Sequence, residues 1–247
     1  MPPVPKPKAA KTGRNRNLLI ALGVAGIVAL ALIAGSIVLS RDGGGDATET
    51  STSQGSTSAP VALVAGIPQS GLVLGNSAAK VRMVQWEDIQ CPVCKVYNDE
   101  ALPAIVDEYV RPGKVKLDFR GLAFLGPDSV KALRISLAAG LQNKLWEVVG
   151  LFFENQGAEN SGWVTDDLVD EILAEVPGLD ADKVKADADS ATVTDQIEAA
   201  QAEAIRLEVN GTPTFFIGVG EEPLYQIQPR DLTPSEFRPA LDDALAP

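Results

Sequence analysis

The sequence predicts an α/β domain with a mixed sheet and a helical insertion in its middle, set behind a single apolar span. Three observations predict it. Strand-like and helix-like stretches alternate from about residue 81 onward. A long helical block, about residues 126–208, interrupts that alternation. Near the N-terminus, Leu18 to Leu39 form a run of 22 residues without charge, against the roughly 20 that a membrane helix needs.

The N-terminal elements come first. Residues 1–17 carry Lys6, Lys8, Lys11, Arg14 and Arg16 and no acid. Residues 18–40 then read as a transmembrane anchor. A cleaved signal peptide is the alternative, but its apolar core is usually about 7–15 residues and ends at a small-x-small site. This run is longer and no clean site follows it. The basic residues ahead of the span should stay in the cytoplasm. The expected protein is therefore single-pass in the cell membrane, with a cytoplasmic N-terminus and an extracytoplasmic body. No cysteine follows the span directly, which excludes a lipoprotein-type anchor. Residues 41–60 are rich in Gly, Ser and Thr and read as a flexible tether. The folded domain is expected over residues 61–247, starting between about Val61 and Gly75. There is no internal repeat.

Within the domain, "VRMVQW" (Val81 to Trp86) is a short β-prone run that reads as a central strand. Val93, Val96, Tyr97, Leu102, Ile105, Val106 and Tyr109 then recur at helical spacing, and Pro103 should bend or divide that helix. A turn at "RPGK" leads to a second strand, about Val115 to Leu122. Helical sequence fills Ser129 to Glu208. "TPTFFIG" (Thr212 to Gly218) returns to a strand, and "PLYQIQ" reads as the next after a turn at Glu221-Glu222. The last helix begins at Thr233, with Pro234 at its first position and Glu236 placed for a capping box.

Composition removes most catalytic chemistry. There is no histidine, so Ser-His-Asp and Cys-His mechanisms are excluded, along with the commonest zinc ligand. Methionine occurs only as Met1 and Met83, too few for a Met-rich copper patch. Two cysteines alone cannot close a four-ligand zinc site. Net charge is −12. Five of the 21 basic residues lie in the first 17, which leaves 16 against 33 acids, or −17, for the rest. A body this acidic repels phosphate backbones, so no nucleic-acid partner is expected. The acidity reads as a solvated surface.

What remains is thiol chemistry. Cys91 and Cys94, the only cysteines, bracket Pro92 and Val93 where the first strand gives way to the first helix. Pro92 suits the first helical turn because its missing N–H would go unpaired there. Cys91 then sits at the helix N-terminus, where backbone amides and the positive end of the dipole favour a thiolate. Cys94 lies one turn on, on the same face, and can close a disulfide. A purely structural bridge is the competing reading. It would close a very short loop and constrain little chain entropy, and the strand–CxxC–helix context argues for a redox role.

Two segments, "VQWEDIQCPVCKVYNDEALPAI" and "VNGTPTFFIG", resemble the active-site and cis-proline signatures of the DsbA-like, thioredoxin-fold thiol-disulfide oxidoreductases, in their membrane-anchored bacterial cell-envelope form. The resemblance runs from about Gly71 to the C-terminus. It implies a thioredoxin-like fold with a helical insertion. It also implies an exposed nucleophile at Cys91, a buried resolving thiol at Cys94, and a cis proline at Pro213 facing them. Thr212 would offer its backbone to an extended substrate. An ordinary trans turn is the alternative for Thr212-Pro213. The sequence departs from the family twice. Val93 stands where a histidine is typical. Gln85, six residues before Cys91, stands where relatives carry a buried acid, and it cannot shuttle a proton. Asp88, or Glu87 if it turns inward, would substitute; both could equally be solvated loop carboxylates. Trp86 reads as core.

The implied activity is a disulfide oxidase that passes the Cys91–Cys94 disulfide to exported proteins with thiols. No cofactor beyond that disulfide and no metal are expected. The family further implies re-oxidation by a membrane quinone-linked partner of the DsbB or vitamin-K-epoxide-reductase-like type. A reductase or isomerase of extracytoplasmic thiols is the nearer alternative. A thiolate Cu(I) or Zn(II) carrier is the more distant one.

Overall fold

Residues 57–220 and 224–247 are described by a computed structural model. The basic tail, the apolar span and nearly all of the tether lie outside the described residues, as does the turn at Glu221-Glu222. Among the described residues no helix is long and apolar enough to cross a membrane.

The centre of the domain is β3 (Val81–Glu87), buried along almost its whole length. A strand covered on both faces needs apolar side chains on both. Val81 and Met83 face the main core, while Val84 and Trp86 face a smaller cluster with Leu122, Ala204 and Phe216. Trp86 is core, edge-on to Phe216 at 5.2 Å. The strands are β1 (Gln69–Ser70), β2 (Val73–Leu74), β3, β4 (Val115–Gly121), β5 (Thr214–Val219) and β6 (Tyr225–Ile227). Across the sheet their order is β1-β2-β4-β3-β5-β6. β3 runs parallel to β4 and antiparallel to β5, so the sheet is mixed as expected.

The helix after the cysteine motif is divided where Pro103 required. α2 (Pro92–Glu100) stops, α3 (Leu102–Ile105) restarts with Pro103 in its first turn, and a π-helical turn (Val106–Val110) ends it. The insertion comprises α4 (Pro127–Gly140), α5 (Leu145–Glu154), α6 (Asp166–Ala174), α7 (Ala181–Asp187) and α8 (Ala191–Arg206). α5 is its most apolar member, with Leu145, Trp146, Val148, Val149, Leu151, Phe152 and Phe153 all buried. The Arg120 side chain pairs with Asp118 of its own strand and, at 2.9 Å, with Glu203. This fastens the last turn of α8 to β4 just before the chain enters the Thr212-Pro213 loop.

Three features differ from the sequence reading. First, α1 (Ala59–Val64) begins inside the stretch that composition assigns to the tether. It buries Val61 and Val64 and packs on α5, where a Cβ at Gly150 would come within 2.6 Å of Pro60. Second, β1 and β2 are two residues long and carry no periodicity that could announce them. Third, α9 (Pro234–Leu245) starts where expected but without the capping box. Glu236 accepts from the Arg230 amide and guanidinium instead, and the Thr233 hydroxyl and N–H donate to Asp231. A charge-assisted, two-pronged guanidinium pair outcompetes a neutral backbone donor.

Fully buried Phe237 of α9 ties that helix to the cysteine helix. Its ring lies 5.5 Å from Tyr97 of α2 and 5.0 Å from Phe215 of β5. Phe237→Ala should therefore cost about 3–5 kcal/mol, read from urea unfolding midpoints. A loss below about 1 kcal/mol would mean that α9 does not share the core.

Candidate active site

Cys91 is the N-cap of α2 and Pro92 its first residue, as the sequence predicts. The pairing of Trp86 with Thr214 across β3 and β5 brings the Thr212-Pro213 loop over the start of that helix. The Thr212–Pro213 peptide bond is cis. The Cys91 thiol donates to the Thr212 carbonyl at 3.4 Å. The two cysteines are free thiols. Cys94 is fully buried, but Cys91 is only 7 % exposed. The expected exposed nucleophile thus sits just below the surface, under the loop that carries Thr212.

The two sulfurs are pushed in opposite directions. The Cys91 pKa falls from 9.0 to about 6, above all because the Cys94 thiol hydrogen-bonds to it. Burial opposes the shift, while the Thr212 hydroxyl and the Cys94 and Val93 amides add to it. The sulfur makes no full capping hydrogen bond, so these amides act as nearby dipoles. The Thr212 hydroxyl is buried without a hydrogen-bond partner of its own, a donor held ready for a thiolate. Cys94 is driven well above 9.0, first by burial, then by its hydrogen bond to Cys91 and the charges of Glu87 and Cys91.

The buried acid is Glu87. It is fully buried at the end of β3, and burial raises its pKa from 4.5 to about 8. Asn98 donates to it at 2.5 Å, and the Gln85 amide donates to its other oxygen. Asn98 also donates to the Cys94 carbonyl at 2.9 Å, and the Tyr97 hydroxyl donates to Gln85 at 3.0 Å. Gln85, two residues back on the same face of the strand, thus orients the acid rather than replacing it.

The remaining predicted residues separate. The Val93 side chain is 51 % exposed, and it is the residue's backbone amide that bears on Cys91. Asp88 is not a solvated carboxylate. It is fully buried and its oxygens are fully engaged. One accepts from the Gln90 amide at 2.9 Å and the Ser129 hydroxyl at 2.5 Å. The other accepts from the Phe124 and Leu125 amides at 3.0 and 3.2 Å. Asp88 therefore clasps the loop before Cys91 to the start of the insertion. Among the described residues, no group of three or more Cys, Asp or Glu side chains is placed to hold a metal ion.

A polarised dithiol at a helix start beside a cis proline has the chemistry that thiol exchange needs, and the chain as a whole is similar to proteins of known family. The family model described as Thioredoxin matches residues 68–243. The chain belongs to the thioredoxin family. Within it, the chain is a protein disulfide oxidoreductase of the DsbA-like kind. It is 28% identical over 209 residues to the probable disulfide bond formation protein D of Bacillus cereus, covering 81% of this chain and 88% of that protein. It is 27% identical over 147 residues to disulfide bond formation protein D of Bacillus subtilis, covering 59% of this chain and 66% of that protein. Among solved structures, a thioredoxin-like oxidoreductase from Silicibacter pomeroyi is 30% identical, with TM-score 0.53 over 72% of this chain and 91% of that one. Oxidised BdbD from Bacillus subtilis shares the fold at 24% identity, with TM-score 0.61 over 72% of this chain and 97% of that one.

The raised Glu87 pKa fixes a pH dependence. Between 4.5 and about 8 the folded protein holds a proton that the unfolded chain releases. Its contribution to stability is therefore full below 4.5 and is lost as pH rises through about 8. Cys91 acts with the opposite sign in the dithiol form, contributing above 9.0 and losing that contribution as pH falls through about 6. In the disulfide form Cys91 no longer titrates and the Glu87 slope remains, since its first cause is burial. Urea unfolding of the disulfide form should show stability falling from pH 5 to 8, and Glu87→Gln should flatten that fall. An equal slope in the variant would assign it to another group.

Proposed function

We propose that the chain is an extracytoplasmic thiol-disulfide oxidase. It donates the Cys91–Cys94 disulfide to exported proteins through a mixed disulfide. The observation that carries this reading is the opposite polarisation of the two sulfurs. Cys91 is the better leaving thiolate and Cys94 the sulfur that needs a proton.

The steps follow from that asymmetry. A substrate thiolate attacks the Cys91 sulfur, the Cys91–Cys94 bond breaks, and Cys94 leaves with the electron pair. Glu87, protonated at neutral pH, is the nearby acid that supplies the proton Cys94 requires. A second substrate thiolate then attacks the substrate sulfur of the mixed disulfide, and Cys91 leaves as a stabilised thiolate. Two electrons have passed from the substrate to the pair, and the substrate holds the new disulfide. Thr212 and Pro213, over Cys91, are the backbone against which an extended substrate would lie. Val93 and Pro92, exposed at the tip of α2, would meet that substrate.

A membrane quinone-linked re-oxidase of the DsbB or vitamin-K-epoxide-reductase-like type would return the pair to the disulfide. The uncharged run at residues 18–40 would hold the domain beside it, with the N-terminus in the cytoplasm. The names of the Bacillus relatives, disulfide bond formation protein D, support the direction of transfer.

Cys94→Ser should accumulate mixed disulfides with exported proteins, seen as reductant-sensitive bands on non-reducing gels. Cys91→Ser should show none. In the same cells, acid quenching and alkylation should find the wild-type pair mainly as disulfide. Bands with Cys91→Ser alone would reverse the cysteine roles, and a resting dithiol would make the chain a reductase.

A further inference from the structure

The segment before α2 is held by the insertion as well as by its own strand. The Asp88 clasp is one hold. Gln90, 1 % exposed, is another: its side chain donates to Ser129 at 3.0 Å and accepts from the Asn160 amide at 2.7 Å. The third hold reaches Cys91 itself. Gln156, just beyond α5, donates from Nε2 to the Ile89 carbonyl at 2.6 Å and to the Cys91 carbonyl at 3.2 Å.

One carbonyl is the nucleophile's own and the other lies two residues before it. Among the described residues, the Ile89 carbonyl accepts nothing else. The Cys91 carbonyl accepts one further, long bond, from the Lys95 amide at 3.2 Å. Pro92 has no N–H with which to tie the turn. One side chain from the insertion therefore holds the Ile89–Gln90 and Cys91–Pro92 peptide planes, while the Gln90–Cys91 plane between them is tied by the Cys91 amide donating to the Asp88 carbonyl at 2.9 Å. Those planes decide whether the sulfur lies under Thr212 and faces the amides of Val93 and Cys94.

We propose that Gln156 is a positioning residue for the reaction: by holding the Ile89 and Cys91 carbonyls it keeps the Cys91 sulfur where its thiolate is stabilised. The insertion thereby sets the redox poise of the dithiol. This rests on Cys91 being the attacked sulfur.

The test compares Gln156→Met with Gln142→Met, with Gln156→Ala as a second variant should Met fail to fold. Gln142 makes a similar two-ended clamp, to the amide and carbonyl of Asp180, wholly inside the insertion. A merely structural clamp lowers the stability of the disulfide and dithiol forms alike and leaves their ratio unchanged. A positioning clamp weakens only the form that carries the thiolate. Gln156→Met should raise the Cys91 pKa by about one unit. At pH 8 the equilibrium with glutathione should then shift about tenfold toward the disulfide, or about 30 mV. Gln142→Met should lose stability with no such shift. Equal potentials in both variants would overturn the proposal. A wild-type Cys91 that is not a thiolate at neutral pH would instead overturn the reading on which it rests.

Discussion

A stabilised thiolate at Cys91 depends on holding two distant points of the chain together: the start of α2, and a carbonyl 121 residues further on at Thr212. No local sequence can do that. The antiparallel register of β3 against β5, with Gln85 opposite Phe215 and Trp86 opposite Thr214, does it. A one-residue slip would turn every side chain of the strand to the other face. Met83 would leave the main core, Trp86 would be driven out of its own cluster into Met83's place, and Thr212 would no longer cap the sulfur. The register is pinned from both faces. Phe215 packs with Tyr97 and Phe237 on one, and Phe216 with Trp86 on the other. The apolar core and the chemistry are thus specified by the same pairing.

The same burial that holds the register sets the proton inventory. Glu87 and Cys94 lie in a region where a lone charge is costly, and each is pushed toward its protonated form. Cys91 has donors around it and is pushed the other way. One negative charge at Cys91 is therefore tolerated, and further charges beside it are resisted. The amides of Gln85 and Asn98 temper the cost at Glu87 without removing it. This division of labour lets a site without histidine hold a stabilised thiolate at the start of α2 and a protonated acid at the end of β3.

The sequence made legible what is locally encoded. The buried run of β3, the proline at the first position of α2 and the helix break at Pro103 each rest on a few adjacent residues. The likeness of the Thr212-Pro213 segment to a known loop signalled the cis bond. Glu87 was legible only conditionally. Period-two alternation puts it on the face of Met83 and Gln85, but an acid beside a loop reads equally as solvated until Asn98 is known to meet it. The burial of Asp88 was not legible because its partners, Phe124, Leu125 and Ser129, lie 36 to 41 residues away. Gln156 left no trace in the sequence, since an amide in a polar loop has no periodicity. The capping box at Thr233 failed because Arg230, outside the motif, took its glutamate.

The whole mechanism turns on the fold holding Cys91 as a thiolate at neutral pH. The most direct measurement is the rate of iodoacetamide modification of Cys91 in the reduced protein, as a function of pH. The structure predicts a midpoint near 6, with Cys94 silent over the same range. A midpoint near the ordinary 9.0 would contradict it, because the helix start, Thr212 and the Cys94 thiol would then not be stabilising the charge.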